Sequence, residues 1–106
     1  MQRINENHLE WSTGVLKSIA HPKRMEILDL LSENNKLSVT DIYTKLNMEQ
    51  AVASQHLILL KNKGVLGSVK KGKSIFYYTA MPELLNILDV IGKCSDKLFN
   101  QRAILS

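Results

Sequence analysis

The apolar positions of this chain recur first at helical spacing and later with a period of two. Between residues 7 and 20, Leu9, Leu16 and Ile19, with Trp11 and Val15, predict a first helix. Gly14 either weakens that helix slightly or lets another helix approach closely. His21-Pro22 then interrupts the pattern, and Pro22 suits the first position of a new helix. That second helix is predicted over 22–33, with Met25, Leu28 and Leu31 on one stripe and Ile27 and Leu30 widening it. Asn34-Asn35-Lys36 is a polar break. Ser38-Val39-Thr40-Asp41 fits the capping-box pattern and opens a helix through Ile42, Tyr43 and Leu46. Asn47 suits a tight turn, because Asn tolerates the left-handed conformation. A fourth helix is predicted over 49–63. It turns Ala53, Leu57 and Leu60 inward with Val52 beside them, and Gly64 ends it.

After Gly64 the period shortens. Val65–Val69 and Ser74–Thr79 are β-prone runs, separated by the hairpin turn Lys70-Lys71-Gly72-Lys73. Pro82 restarts a helix that runs toward residue 100. Its stripe is Leu84, Ile87/Leu88, Ile91, Cys94/Ser95 and Leu98. The predicted fold is mainly α with a small β-hairpin, in the order α-α-α-α-β-β-α. Two short helices joined by a tight turn and followed by a basic hairpin make a winged helix-turn-helix.

With 106 residues, the chain is expected to be a single domain over 1–106. The hydrophobic share of 44% and charged share of 23% are those of a folded globular protein, not a disordered one. The longest aliphatic run, Leu57-Ile58-Leu59-Leu60, is far short of the ~20 residues that a membrane span needs. The opening residues Met1–His8 lack the apolar core of a signal peptide. A single cysteine cannot close an internal disulfide. The expectation is a cytoplasmic protein. The sequence holds no P-loop, no glycine-rich dinucleotide fingerprint and no nucleophile elbow, so neither an enzyme nor a bound cofactor is expected.

Charge placement says more than the total of +4. Residues 45–73 carry six lysines (Lys45, Lys61, Lys63, Lys70, Lys71 and Lys73) against one carboxylate, Glu49, a net of +5. The remaining residues hold eight basic and nine acidic side chains. A basic stretch on a nearly neutral body is the footprint of a polyanion binder, or else a solvated lysine-rich face.

Three stretches, taken in order, resemble the ArsR/SmtB-type winged-helix transcriptional repressors. They are Leu16-Lys17-Ser18-Ile19-Ala20-His21-Pro22-Lys23-Arg24-Met25-Glu26-Ile27-Leu28; then Gln50-Ala51-Val52-Ala53-Ser54-Gln55-His56-Leu57-Ile58-Leu59-Leu60; and Gly64-Val65-Leu66 followed by Lys71-Gly72-Lys73 and Tyr77-Tyr78. The resemblance covers about residues 9–80. It implies a homodimer bound to a palindromic operator in double-stranded DNA, dimerising through the first and last helices. Leu9, Trp11 and Leu16 of the first helix and Leu84, Leu88, Ile91 and Leu98 of the last are the expected interface. The alternative is that the last helix's stripe packs on the monomer's own core.

In such a motif the second helix enters the major groove. Gln50, Ala51, Ser54 and Gln55 are its outward positions and are expected to meet base edges: Gln suits adenine, and the Ala methyl suits thymine. His56 is either a further contact or a half-buried structural residue. Lys61, the wing lysines Lys70, Lys71 and Lys73, and Ser38 and Thr40 at a helix start are expected to face phosphates. Two residues depart from the family pattern. Glu49 stands where a serine often begins the recognition helix. Ile58 replaces a polar or basic residue and is expected to pack toward the wing.

Family members of this kind often sense metals through thiols in the motif's first helix or through Asp, His and Glu on the last. Here Ser38 and Thr40 flank Val39, the last helix has no histidine, and His8, His21 and His56 are scattered without ligand spacing. No family-type metal site is expected. Cys94 reads as a small hydrophobe buried in the stripe, or alternatively as a thiol that forms a redox disulfide with its symmetry mate. A winged-helix module that binds protein instead of DNA is the other functional alternative. The inducer is not legible.

Overall fold

The computed structural model describes residues 5–105, with side chains through residue 101. Residues 1–4 of the opening stretch, and Ser106, lie outside the described residues. The elements in chain order are α1 (Glu6–Ile19), α2 (Pro22–Ser32), β1 (Leu37–Ser38), α3 (Val39–Lys45), α4 (Gln50–Asn62), β2 (Leu66–Lys71), β3 (Ser74–Thr79) and α5 (Glu83–Leu105). The predicted order omits β1. This two-residue strand pairs antiparallel with β3, Leu37 opposite Tyr77 and Ser38 opposite Phe76, giving a three-stranded sheet in the order β1-β3-β2.

Local chemistry explains most boundaries. The Asn5 side chain accepts a hydrogen bond from the His8 N–H and caps α1. Pro22 begins α2 behind His21, whose Nδ1 accepts from the Lys23 N–H at 3.1 Å. Ser38 Oγ accepts from the Asp41 N–H at 3.1 Å, so the expected cap of α3 is present. Gly64 adopts φ +80° after α4; its N–H donates to the Lys61 carbonyl, while the Val65 N–H donates to that of Leu60. Those two bonds are the Schellman closure that a C-terminal glycine permits.

The hairpin is tighter than expected. Pairing continues through Lys70↔Ile75 and Lys71↔Ser74, so both lysines belong to β2 and the turn is Gly72-Lys73 alone. Gly72 has φ +62°, as the first central position of a two-residue II′ turn requires.

The core is built from Val15 and Ile19 of α1, Ile27, Leu28 and Leu31 of α2, Leu37, Ile42 of α3, Leu57 and Leu60 of α4, and Val65, Leu66 and Tyr77 of the hairpin. Each fully buried aliphatic side chain contributes about 1.5–3 kcal/mol. Val52, expected beside the inward stripe, is exposed. It lies one residue, about 100° of rotation, around the helix from buried Ala53. On α1 the buried face is Val15, Ser18 and Ile19, while Leu9, Trp11 and Leu16 are exposed. Ser18 satisfies its buried hydroxyl by donating to the Val15 carbonyl at 2.6 Å.

Leu84, Leu85 and Leu88 pack against the core from the start of α5. At 23 residues this helix is about 34 Å long. Beyond Leu88 its described side chains are exposed, apart from Ser95, which is half-buried. Cys94 is therefore exposed, contrary to its reading as a buried hydrophobe. Among the described residues, no helix is long and apolar enough to cross a membrane.

Candidate nucleic-acid interface

The helix-turn-helix is closed by a tight turn. Asn47 takes φ +52°, the left-handed conformation expected of it, and the Met48 N–H donates to the Tyr43 carbonyl at 2.9 Å. This turn delivers the chain to Glu49 and α4. Glu49 occupies the cap position but makes no side-chain capping bond. Its carboxylate still suits the positive end of the helix dipole.

Along α4 the buried residues are Ala53, Leu57 and Leu60. Gln50, Ala51, Gln55 and Lys61 are exposed, whereas Ser54 is half-buried. Ile58, expected to be covered by the wing, remains 53% exposed. Ile58 lies one residue, about 100° of rotation, past inward Leu57, and nothing covers it far enough to bury it.

Lys70, Lys71 and Lys73 are all exposed on the hairpin. A fourth wing lysine lies outside the basic stretch read from the sequence. Strand β1 brings Lys36 alongside β3, with its Nζ 5.8 Å from the centre of the Phe76 ring. The neighbouring Lys71 ammonium pulls the Lys36 ammonium below the ordinary lysine value. Two crowded ammonium groups make this edge receptive to an anion. The sequence signal was weak: a single lysine in a polar break, 35 positions from its neighbour in space.

Ser38 uses its hydroxyl to cap α3, and Thr40 is exposed on the first turn. The histidines are less scattered than their spacing suggests. His21 and His56 lie with ring centroids 4.8 Å apart, tilted by 54°. Arg24 joins them, donating from Nε to His56 Nδ1 at 3.2 Å and from Nη1 to the Ser18 carbonyl at 3.1 Å. Burial holds the half-buried His56 imidazole below the usual histidine value, and the charges of His21 and Arg24 push the same way. Among the described residues, no three His, Cys, Asp or Glu side chains gather as metal ligands.

On α1 and α5, apolar residues remain uncovered. Trp11 is 56% exposed, Ile91 51% and Phe99 60%, and Leu9, Leu16, Ile87, Val90 and Leu98 are exposed with them. Of the residues expected at a dimer interface, Leu84 and Leu88 are half-buried against the chain's own core, while the other five are exposed.

Comparison with known proteins adds a family pattern to this geometry. The sequence profile described as "Bacterial regulatory protein, arsR family" matches residues 21–68, from the start of α2 into β2. The transcriptional repressor PagR of Bacillus anthracis is 33% identical over 84% of this chain and 89% of its own length. Its crystal structure superposes with a TM-score of 0.74, covering 82% of this chain and 99% of that one. The transcriptional activator HlyU of Vibrio cholerae is 30% identical over 86% of this chain and 82% of its own. A homodimeric winged helix-turn-helix DNA-binding domain from Mycobacterium bovis shares the fold at TM-score 0.79 and 24% identity, covering 95% of each chain.

Proposed function

This chain belongs to the ArsR family of bacterial transcription regulators, and from that we propose that it is a homodimeric repressor that binds a palindromic operator in duplex DNA. Gln50, Ala51, Ser54 and Gln55 of α4 read base edges. Lys61, Lys70, Lys71 and Lys73, with Ser38 and Thr40, hold phosphates. The observation that carries the reading is electrostatic: a net +5 concentrated over residues 45–73, a stretch that includes the two elements with which a winged helix-turn-helix grips a duplex. Lys36, crowded against Lys71, adds to that surface.

Homodimerisation is supported by the apolar residues that α1 and α5 leave uncovered. Exposed apolar residues gathered in number commonly mark an interface, and twofold dimers are the commonest assembly. Repression is supported by the likeness to PagR; the likeness to HlyU makes activation the opposing outcome. Regulation without a family-type metal site is supported by Ser38 and Thr40 in place of thiols and by the lack of histidine in 83–105. A protein of this kind binds and does not catalyse.

A gel shift on DNA from upstream of the chain's own gene, at two salt concentrations, tests the reading. Sequence-selective binding that weakens with salt supports it, and no shift at low salt overturns it. A reporter driven by the bound fragment then separates repression from activation.

A further inference from the structure

One guanidinium on α2 ties the recognition helix α4 to α1. Arg24, in the first turn of α2, reaches the Ser18 carbonyl near the end of α1 and His56 Nδ1 in the middle of α4. An arginine Nε always carries hydrogen, and the guanidinium does not deprotonate in a protein. The nitrogen that accepts from it must therefore be bare. In a neutral imidazole the ring hydrogen then sits on Nε2. Burial and the adjacent cationic groups keep that ring neutral at neutral pH. The groups facing His56 are Arg24 and His21, both from the α2 end; the ion pairs among the described residues, Lys23–Glu26 and Asp89–Lys93, do not include it. His56 Nε2 makes no hydrogen bond among the described residues.

We propose that Arg24 is a positioning residue for DNA binding: it fixes His56 as a neutral imidazole whose Nε2–H donates to a phosphate oxygen of the duplex backbone. The proposal rests on reading the chain as a duplex-DNA binder. Phosphate is preferred to a base edge because His56 is half-buried on the flank of α4, one residue and about 100° of rotation from exposed Gln55. A neutral N–H on an anionic oxygen is a charge-assisted bond, stronger than one between neutral groups.

Two measurements test it. Nitrogen NMR of the free wild-type protein should find His56 with hydrogen on Nε2 and none on Nδ1. Titration of the shifted DNA fragment should then give a specific pattern among variants. Arg24→Met weakens binding about tenfold. His56→Gln, whose amide nitrogen replaces Nε2, retains binding within about twofold, and adding Arg24→Met to it changes nothing further. His56→Asn, whose amide sits near Nδ1, binds as weakly as Arg24→Met. The inference is overturned if His56 carries its hydrogen on Nδ1, a result that requires no variant to fold. It is also overturned if Arg24→Met costs the same factor in both backgrounds, as a purely structural brace would. Wild-type protein that binds no duplex overturns both readings; wild-type and Arg24→Met proteins that bind equally overturn this one alone.

Discussion

Leu37 pairs with Tyr77 across the edge of the sheet, and both side chains are buried. That pairing ties the wing to the first helix of the motif, because Ser38, the next residue, caps α3. Leu37→Ala removes a buried side chain from this junction and should cost about 2–5 kcal/mol of stability. Ser38→Ala removes only the cap and should cost about 1 kcal/mol. Urea unfolding of the two variants checks both values and their order.

The lysines flanking that junction should act without reading sequence. Lys36→Ala and Lys71→Ala should each weaken binding to specific and unrelated duplexes alike. Each should lower the magnitude of the log–log salt slope by about 0.9. Binding isotherms at four or five salt concentrations give the slope directly.

Gln55 should behave oppositely. It is exposed on α4 and is proposed to contact a base. Gln55→Ala should cost about 1–3 kcal/mol on the preferred duplex and relax preference at one base pair. Selection from randomised duplexes, with wild type and variant in parallel, reads both effects.

His56 predicts a pH dependence of stability. Its value in the folded chain is depressed below the ordinary 6.5, so the folded state favours the neutral ring. That contribution is fully present above about pH 6.5 and is lost as pH falls through the lower, folded-state value. Thermal melts from pH 7.5 to 5 should show the midpoint dropping at the acid end. His56→Gln, with no titrating ring, should flatten that drop relative to wild type.

Much of this fold could be read locally. Asn47, Gly64 and Pro22 each sit where backbone geometry demands that residue type, and Ser38 announces a helix within four positions. What escaped depends on distant partners. Strand β1 is two residues long, too short to show a period, and exists only because β3 lies beside it. The Arg24–His56 bond joins positions 32 apart. Lys36 gains its electrostatic meaning from Lys71, on another strand. On α1 the pattern contained two apolar faces, and periodicity cannot tell which one meets the chain's own core: Val15 and Ile19 do, while Leu9 and Leu16 do not. Cys94 was misread for a related reason, since a helical stripe looks the same whether or not anything covers it.

That uncovered surface makes its own prediction. Ile91→Asp places a charge on the exposed apolar face of α5, away from the buried core. The variant should keep the wild-type helical circular dichroism yet sediment at half the wild-type mass. Unchanged mass would assign the face to another role.

The most direct test of where DNA sits is the amide NMR spectrum titrated with a duplex selected from random sequence. Perturbations should concentrate at Gln50–His56 of α4 and around Lys70–Lys73 of the wing, with smaller changes near Lys36. Perturbations confined to other surfaces, or a spectrum that does not change with added duplex, would contradict the proposed interface.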